Sequence, residues 1–162
     1  MEKLINLGST NIMLMNSTDL KNNFNVFYKL FAENTRGHVL DQFIDDEYIL
    51  FKAKQLYDYL DAGNSFLFGL FIQETLCGFL WTYKRIFLEE ERFYINSLII
   101  SRNHRGKGFG KLLISELERF AISKGVHVLD VSTAAFKFDA IGFYQKLGYQ
   151  PERIQLRKAI KK

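Results

Sequence analysis

Between Arg102 and Lys111 the chain sets three glycines (Gly106, Gly108, Gly110) among four cations (Arg102, Arg105, Lys107, Lys111). Before this stretch, Phe93 to Ile100 reads as an apolar strand. After it, Leu112, Leu113, Leu117, Phe120 and Ala121 recur at helical spacing. A strand feeding a glycine-rich turn into a helix start suits anion binding. Glycine lets the backbone approach a ligand closely, several amides lack helical partners, and the helix dipole adds positive potential. Lys111, in the first turn, opposes that dipole unless an anion sits there. The plain alternative is a solvated basic turn.

Two phosphate loops fail on spacing. A Walker loop needs four residues between its first glycine and Gly-Lys-Ser/Thr. Here only three separate Gly106 from Gly110-Lys111, and Leu112 has no hydroxyl for a metal. A dinucleotide fingerprint starting at Gly106 needs a small residue where Lys111 stands.

The stretch resembles instead the acyl-CoA-binding segment of the GNAT superfamily of N-acetyltransferases, whose Arg/Gln-x-x-Gly-x-Gly/Ala signature is filled by Arg105, Gly108 and Gly110. A second signature of that family, aromatic-Tyr-x-Lys-x-Gly-aromatic, appears as Phe143-Tyr144-Gln145-Lys146-Leu147-Gly148-Tyr149. The resemblance implies an α/β (α+β) fold: a mixed sheet of six to seven strands, about four helices on both faces, and a V-shaped splay between two central parallel strands. It covers nearly all of the chain, read as one domain over residues 1–162.

What the resemblance implies for chemistry is acetyl transfer from acetyl-CoA to a primary amine through a tetrahedral intermediate. Backbone amides of Arg105, Gly106, Lys107, Gly108, Phe109, Gly110 and Lys111 would take the pyrophosphate, and the backbone of Leu98, Ile99 and Ile100 would pair with pantetheine. A fixed N–H aimed at the carbonyl oxygen stabilises its developing charge. Tyr144 falls where the family has a tyrosine near the sulfur, as general acid; its plain alternative is a core aromatic. The strand position where many members carry a glutamate is Tyr94, so the base is Glu91 at the strand's start or a water held by Asn96 or Ser97. Lys137 replaces a common asparagine and would reach a CoA phosphate or cover a helix end. A CoA-binding module without turnover is the competing reading. The family includes dimers, so a homodimer is open.

Composition narrows the rest. With 162 residues, 48% of them apolar, one core-bearing domain is expected. The single cysteine, Cys77, allows no internal disulfide and reads as a core residue of a strand, which suits a reducing cytoplasm. No apolar run approaches the roughly 20 residues of a membrane span, and the first residues do not read as a signal peptide. The charge of +4 is dispersed, with no nucleic-acid-binding motif, and His38, His104 and His127 lack metal-ligand spacing.

The elements that must position these residues follow in order. Asn11 to Met15 reads as a strand, and Ser17 or Thr18 caps a helix with the stripe Leu20, Phe24, Phe27, Tyr28, Phe31. Gly37 breaks it. Asp45, Asp46 and Glu47 start a second helix ended by Gly63, by dipole chemistry or as bait for an amine. Phe66 to Ile72 and Thr75 to Phe87 form a hairpin across Gln73-Glu74, and Glu89 to Glu91 form a loop. His127 to Thr133 is a strand parallel to the central one, Phe138 to Leu147 a helix, and Ile154 to Ile160 a last strand. Phe43, Tyr48, Tyr83 and Phe87 either line an amine pocket or pack the core.

Overall fold

The structure, a computed structural model, describes residues 2–7, 9–37 and 44–160. Phe43, His38 and the interior of the loop after Gly37 lie outside the described residues, as do Lys161 and Lys162. The chain divides into two units, residues 1–132 and 133–162.

The first unit is built on a six-stranded sheet whose strands follow one another in chain order. They are β1 (Glu2–Leu7), β2 (Thr10–Met15), β3 (Ser65–Ile72), β4 (Thr75–Phe87), β5 (Glu90–Ile100) and β6 (Leu129–Val131). β1 to β5 are antiparallel, and β6 joins β5 in parallel, as the intervening helix requires. β1 was not anticipated. Its residues Lys3 and Asn6 interrupt the apolar alternation by which strands are read.

Both tight hairpins turn on residues with positive φ, Gln73 and Glu74 in one and Leu88 and Glu89 in the other. That turn twists with the strands it joins, even without the glycine it prefers. The second turn corrects the expected loop: Glu90 and Glu91 belong to β5, where Glu91 pairs with Ile86.

Three helices cover one face: α1 (Ser17–Asn22), α2 (Phe24–Arg36) and α3 (Asp46–Asp61). The expected first helix is two, because Asn23 leaves helical geometry and its side chain bonds back to the Asp19 carbonyl. Asn16, not Ser17 or Thr18, is the cap: its side chain accepts from the Asp19 amide at 2.9 Å, and Asp19 accepts from the Asn16 amide in return. Asp45 caps α3 through the Glu47 amide at 3.1 Å. The buried stripe Phe27, Phe31, Ile49, Ala53 and Leu56 meets Leu67, Phe79, Trp81 and Ile99 of the sheet.

On the other face lies α4 (Phe109–Ser123), which buries Leu113, Leu117 and Ala121. Its Phe120 packs on Phe66, Phe68 and Phe93 at 4.8, 5.4 and 6.0 Å between ring centres. Cys77 is buried in β4, which pushes its thiol pKa up.

In the second unit, α5 (Phe138–Lys146) ends at Leu147, and Gly148 beyond it has φ +90°. The expected last strand, Ile154 to Ile160, does not form: residues 151–160 carry no regular structure, and Ile154, Leu156 and Ile160 are exposed. Alternating apolar residues make a strand only where a neighbour completes the ladder.

Candidate active site

The glycine-rich stretch lies where β5 hands over to α4. A 3-10 turn, Arg102–His104, leaves the strand, held by Ser101 Oγ and His104 Nδ1 at 2.8 Å. Gly106 and Gly108 then take φ of +75° and +81°. Gly108 caps α4, and its carbonyl accepts the helix's first bond from the Leu112 amide at 3.1 Å. The amides of Phe109, Gly110 and Lys111 therefore have no residue one turn back to bond. No acidic side chain occupies this first turn. A Cβ on Gly106 or Gly108 would meet no protein atom within 4 Å, so the space above both is open to a ligand. These features fit a bound pyrophosphate.

Arg105 serves the loop itself. Its Nε donates to the Ile100 carbonyl at 2.9 Å, and its guanidinium reaches Glu33 of α2 at 3.4 Å. Arg102 donates to the same carboxylate at 2.7 Å, and that bond holds the Glu33 carboxyl below its usual pKa against the opposing pull of desolvation.

β5 itself offers an open edge. Its pairing with β6 covers only Phe93 to Ile95 against Leu129 to Val131, while the strand runs on to Ile100. This is where the expected splay begins. The Ser101 amide bonds the Cys77 carbonyl of β4 at 2.8 Å. By antiparallel alternation, Ile99 and Ser97 face β4 likewise, so Leu98 and Ile100 turn their backbone groups to the edge that β6 has left. Asp130 pins β6 at the last paired rungs: Arg85 donates to it through Nε and Nη2, and Arg92 through Nη1 at 3.2 Å.

A β-bulge sits at that divergence. Trp81 opposes Ser97 but Thr82 opposes Ile95, so Asn96 is the extra residue. It inverts the alternation of the strand: Phe93 stacks on α4, whereas Ile99, an even number of residues on, packs under α2 and α3. Thr82 Oγ1, wholly buried, donates to the Tyr94 carbonyl at 2.9 Å and holds the bulge in place.

Asn96 borders a cavity of about 690 Å³ between the sheet and helices α2 and α3. Among the described residues five rings face it, those of Phe31, Tyr48, Tyr59, Trp81 and Tyr83. Trp81 is fixed by its indole N–H, 3.3 Å from Ser65 Oγ. Burial pushes the Tyr83 hydroxyl up in pKa, with Tyr94 and Tyr59 adding to it, so Tyr83 is a donor at neutral pH. Two cations, Lys52 and Lys84, complete the polar part with Thr35, Gln55 and Asn64. Of the expected pocket aromatics, Tyr48 and Tyr83 line this cavity, and Phe87 instead lies beneath the guanidinium of Arg92 at 4.8 Å. The residues that sequence reasoning passed over are Trp81, Tyr59 and Lys52. No motif marks them, since each reads as ordinary core or helix surface.

Glu91 sits at the start of β5 with its carboxylate on Lys84 at 2.8 Å. Tyr94 lies opposite Tyr83 and beneath the Arg85 guanidinium at 4.6 Å. Ser97 is buried beside the bulge. In the second unit, Lys137 caps α5, and Tyr144 meets Phe143 and Tyr149 edge-on at 5.1 and 5.2 Å. Among the described residues no group of three or more His, Cys, Asp and Glu side chains is placed to hold a metal.

The family model for acetyltransferases of the GNAT type matches residues 25–149. The chain belongs to the GNAT family. It is 34% identical over 64 residues to an L-ornithine N5-acetyltransferase of Arabidopsis thaliana, a stretch covering 40% of this chain and 28% of that relative. The chain thus spans under a third of that relative's length. An aminoglycoside acetyltransferase from an uncultured soil metagenomic sample, solved with sisomicin, shares the GNAT fold at TM-score 0.72 and 20% identity, over 94% of this chain and 97% of that one. So does a predicted acetyltransferase of Clostridium acetobutylicum solved with acetyl-CoA, at TM-score 0.72 and 13% identity, over 93% and 96%.

Proposed function

We propose that the chain transfers an acetyl group from acetyl-CoA to a primary amine. The observation that carries this is the end of β5–β6 pairing at Ile95, which opens one strand edge between the glycine cradle and the cavity. Bound acetyl-CoA supplies an activated thioester. The amides from Arg105 to Lys111 hold its pyrophosphate, and the open edge at Leu98 and the Ile100 amide, with Ile99 between them, aligns the pantetheine arm. Lys137 serves a CoA phosphate.

The amine must shed one proton to become an amide, and the departing sulfur must gain one. Tyr144 gives the second, since a phenol of pKa about 10 can protonate a thiolate whose acid has pKa about 8.5. Glu91 takes the first, directly or through water held at Asn96 and Ser97. The two units act as one acetyltransferase domain in the cytoplasm, alone or as a homodimer, on a small-molecule or protein amine. Among the described residues no helix is long and apolar enough to cross a membrane.

A CoA-binding module without turnover is the second reading, favoured by Tyr94 at the family's glutamate position and by a cavity with no carboxylate among its described lining residues. One experiment separates them. Acetyl-CoA at a hundred times its dissociation constant stabilises the fold by about 2.7 kcal/mol, or about 5 to 10 °C. Thiol release is then followed across amines with the native chain and Tyr144→Phe. The expected result is equal stabilisation, with turnover at least about tenfold lower in the variant. Stabilisation without release on any amine would favour the silent module, and equal turnover would remove Tyr144 from the mechanism.

A further inference from the structure

The cavity is described above by its walls, and their chemistry restricts what can enter. Five aromatic rings select a flat, apolar body. Among the described lining residues none is Asp or Glu, whereas two are lysines. Those two differ. Lys84 is already matched by Glu91 at 2.8 Å. Lys52 has no carboxylate partner among the described residues: its Nζ donates to Gln55 Oε1 at 3.1 Å and lies 5.7 Å from the ring centres of Tyr48 and Phe51. At the start of α3, Asp45 caps the helix and Asp46 binds Arg36. Among the described residues, an amide and two ring faces leave the half-buried ammonium without a counter-charge at the wall of an aromatic-lined space.

We propose that the acceptor is an arylalkylamine that carries its own anion, of which an aromatic α-amino acid is the smallest example. Its ring lies among the aromatic side chains and its carboxylate answers Lys52. Charge matching then selects against polycations, which would bring more ammonium groups up to Lys52, whose charge no described carboxylate answers. A volume of about 690 Å³ leaves room for acceptors larger than a single amino acid. This substrate class rests on the transferase reading, but entry into the cavity is measured separately from turnover.

Trp81 is the only tryptophan of the chain and lines the cavity, so its fluorescence reports entry. The full chain is titrated, in the presence of CoA, with L-phenylalanine, with phenethylamine, which lacks the carboxylate, and with the polycation kanamycin. L-Phenylalanine is expected to bind about tenfold or more tighter than phenethylamine, with kanamycin weakest. Lys52→Met, which keeps the stem and loses the charge, removes that preference, and Lys52→Arg retains it. Stabilisation by acetyl-CoA confirms that both variants are folded. Equal affinity with and without the carboxylate, tightest binding of the polycation, or a preference that survives Lys52→Met overturns the proposal. Thiol release measured on the same amines reads the transferase reaction by itself, so a preference without turnover would count against catalysis and not against the cavity's selectivity.

Discussion

Gly108→Ala isolates what the glycine cradle is for. At φ +81° an L-residue is strained, at a cost of about 1 to 2 kcal/mol, yet its Cβ would touch no protein atom within 4 Å. The folded protein therefore loses only the conformational term, a drop in Tm of about 2 to 8 °C. A phosphate drawn close to the amides of Phe109 to Lys111 would meet the new methyl directly. Losing one charge-assisted bond of about 1.5 to 3 kcal/mol corresponds to roughly a 10- to 150-fold rise in the CoA dissociation constant. Gly125→Ala is the matched control, since Gly125 has φ +73° and equally open surroundings but follows the other end of α4. Both variants should melt earlier by similar amounts, and calorimetric titration should find weakened CoA binding only at Gly108. Binding of S-acetyl-pantetheine, which has no pyrophosphate, should be nearly unchanged in both. Equal CoA affinity in the two variants would refute the cradle.

Two further outcomes follow from the charges that frame the site. Asp130→Asn leaves two guanidiniums, Arg85 and Arg92, without their shared anion at the last rungs joining β6 to β5. Urea unfolding should show a loss of about 1 to 3 kcal/mol, less than for a fully buried pair because water reaches the group; a loss under about 0.5 kcal/mol would mean that the ion pairs do not hold the strand. Glu33, whose carboxyl Arg102 holds below the ordinary value of 4.5, adds stability that is present above that value and lost as pH falls through the lower folded one. Glu33→Gln should thus lower Tm at neutral pH, with the gap closing in acid and in high salt. A gap independent of pH would show that Glu33 acts by packing alone.

Where a signal is local, the sequence carried it. Gly106, Gly108 and Gly110 stand at the helix start they announce, Asp45 caps α3 as its charge suggests, and β4 spans the residues its pattern marks, Thr75 to Phe87. The errors arise where a neighbour decides. Ile154 to Ile160 alternates like a strand but has no ladder to join, whereas Glu2 to Leu7 alternates poorly and pairs with β2. Asn16 outcompetes Ser17 as a cap because it sits three residues before Asp19, which returns the bond.

The bulge at Asn96 is the deeper case. Ile95, Asn96 and Ser97 show no glycine or other local signal of an extra residue, and the apolar run from Leu98 to Ile100 reads the same with or without one. Only the register against Trp81 and Thr82 reveals it. Yet the bulge sets which face Ile99 packs on and places Asn96 at the cavity, beside the edge that β6 leaves open. The proposed cofactor half of the site is thus written in one contiguous stretch, because a phosphate cradle is a property of a single turn and the helix it starts. The proposed acceptor half is not, because Phe31, Lys52, Tyr59 and Trp81 come from separate elements and meet only after the sheet has formed. On the proposed reading, family membership points to the cofactor's seat and leaves the acceptor to these walls, and the binding of L-phenylalanine against kanamycin, with and without the charge of Lys52, is the test of that division.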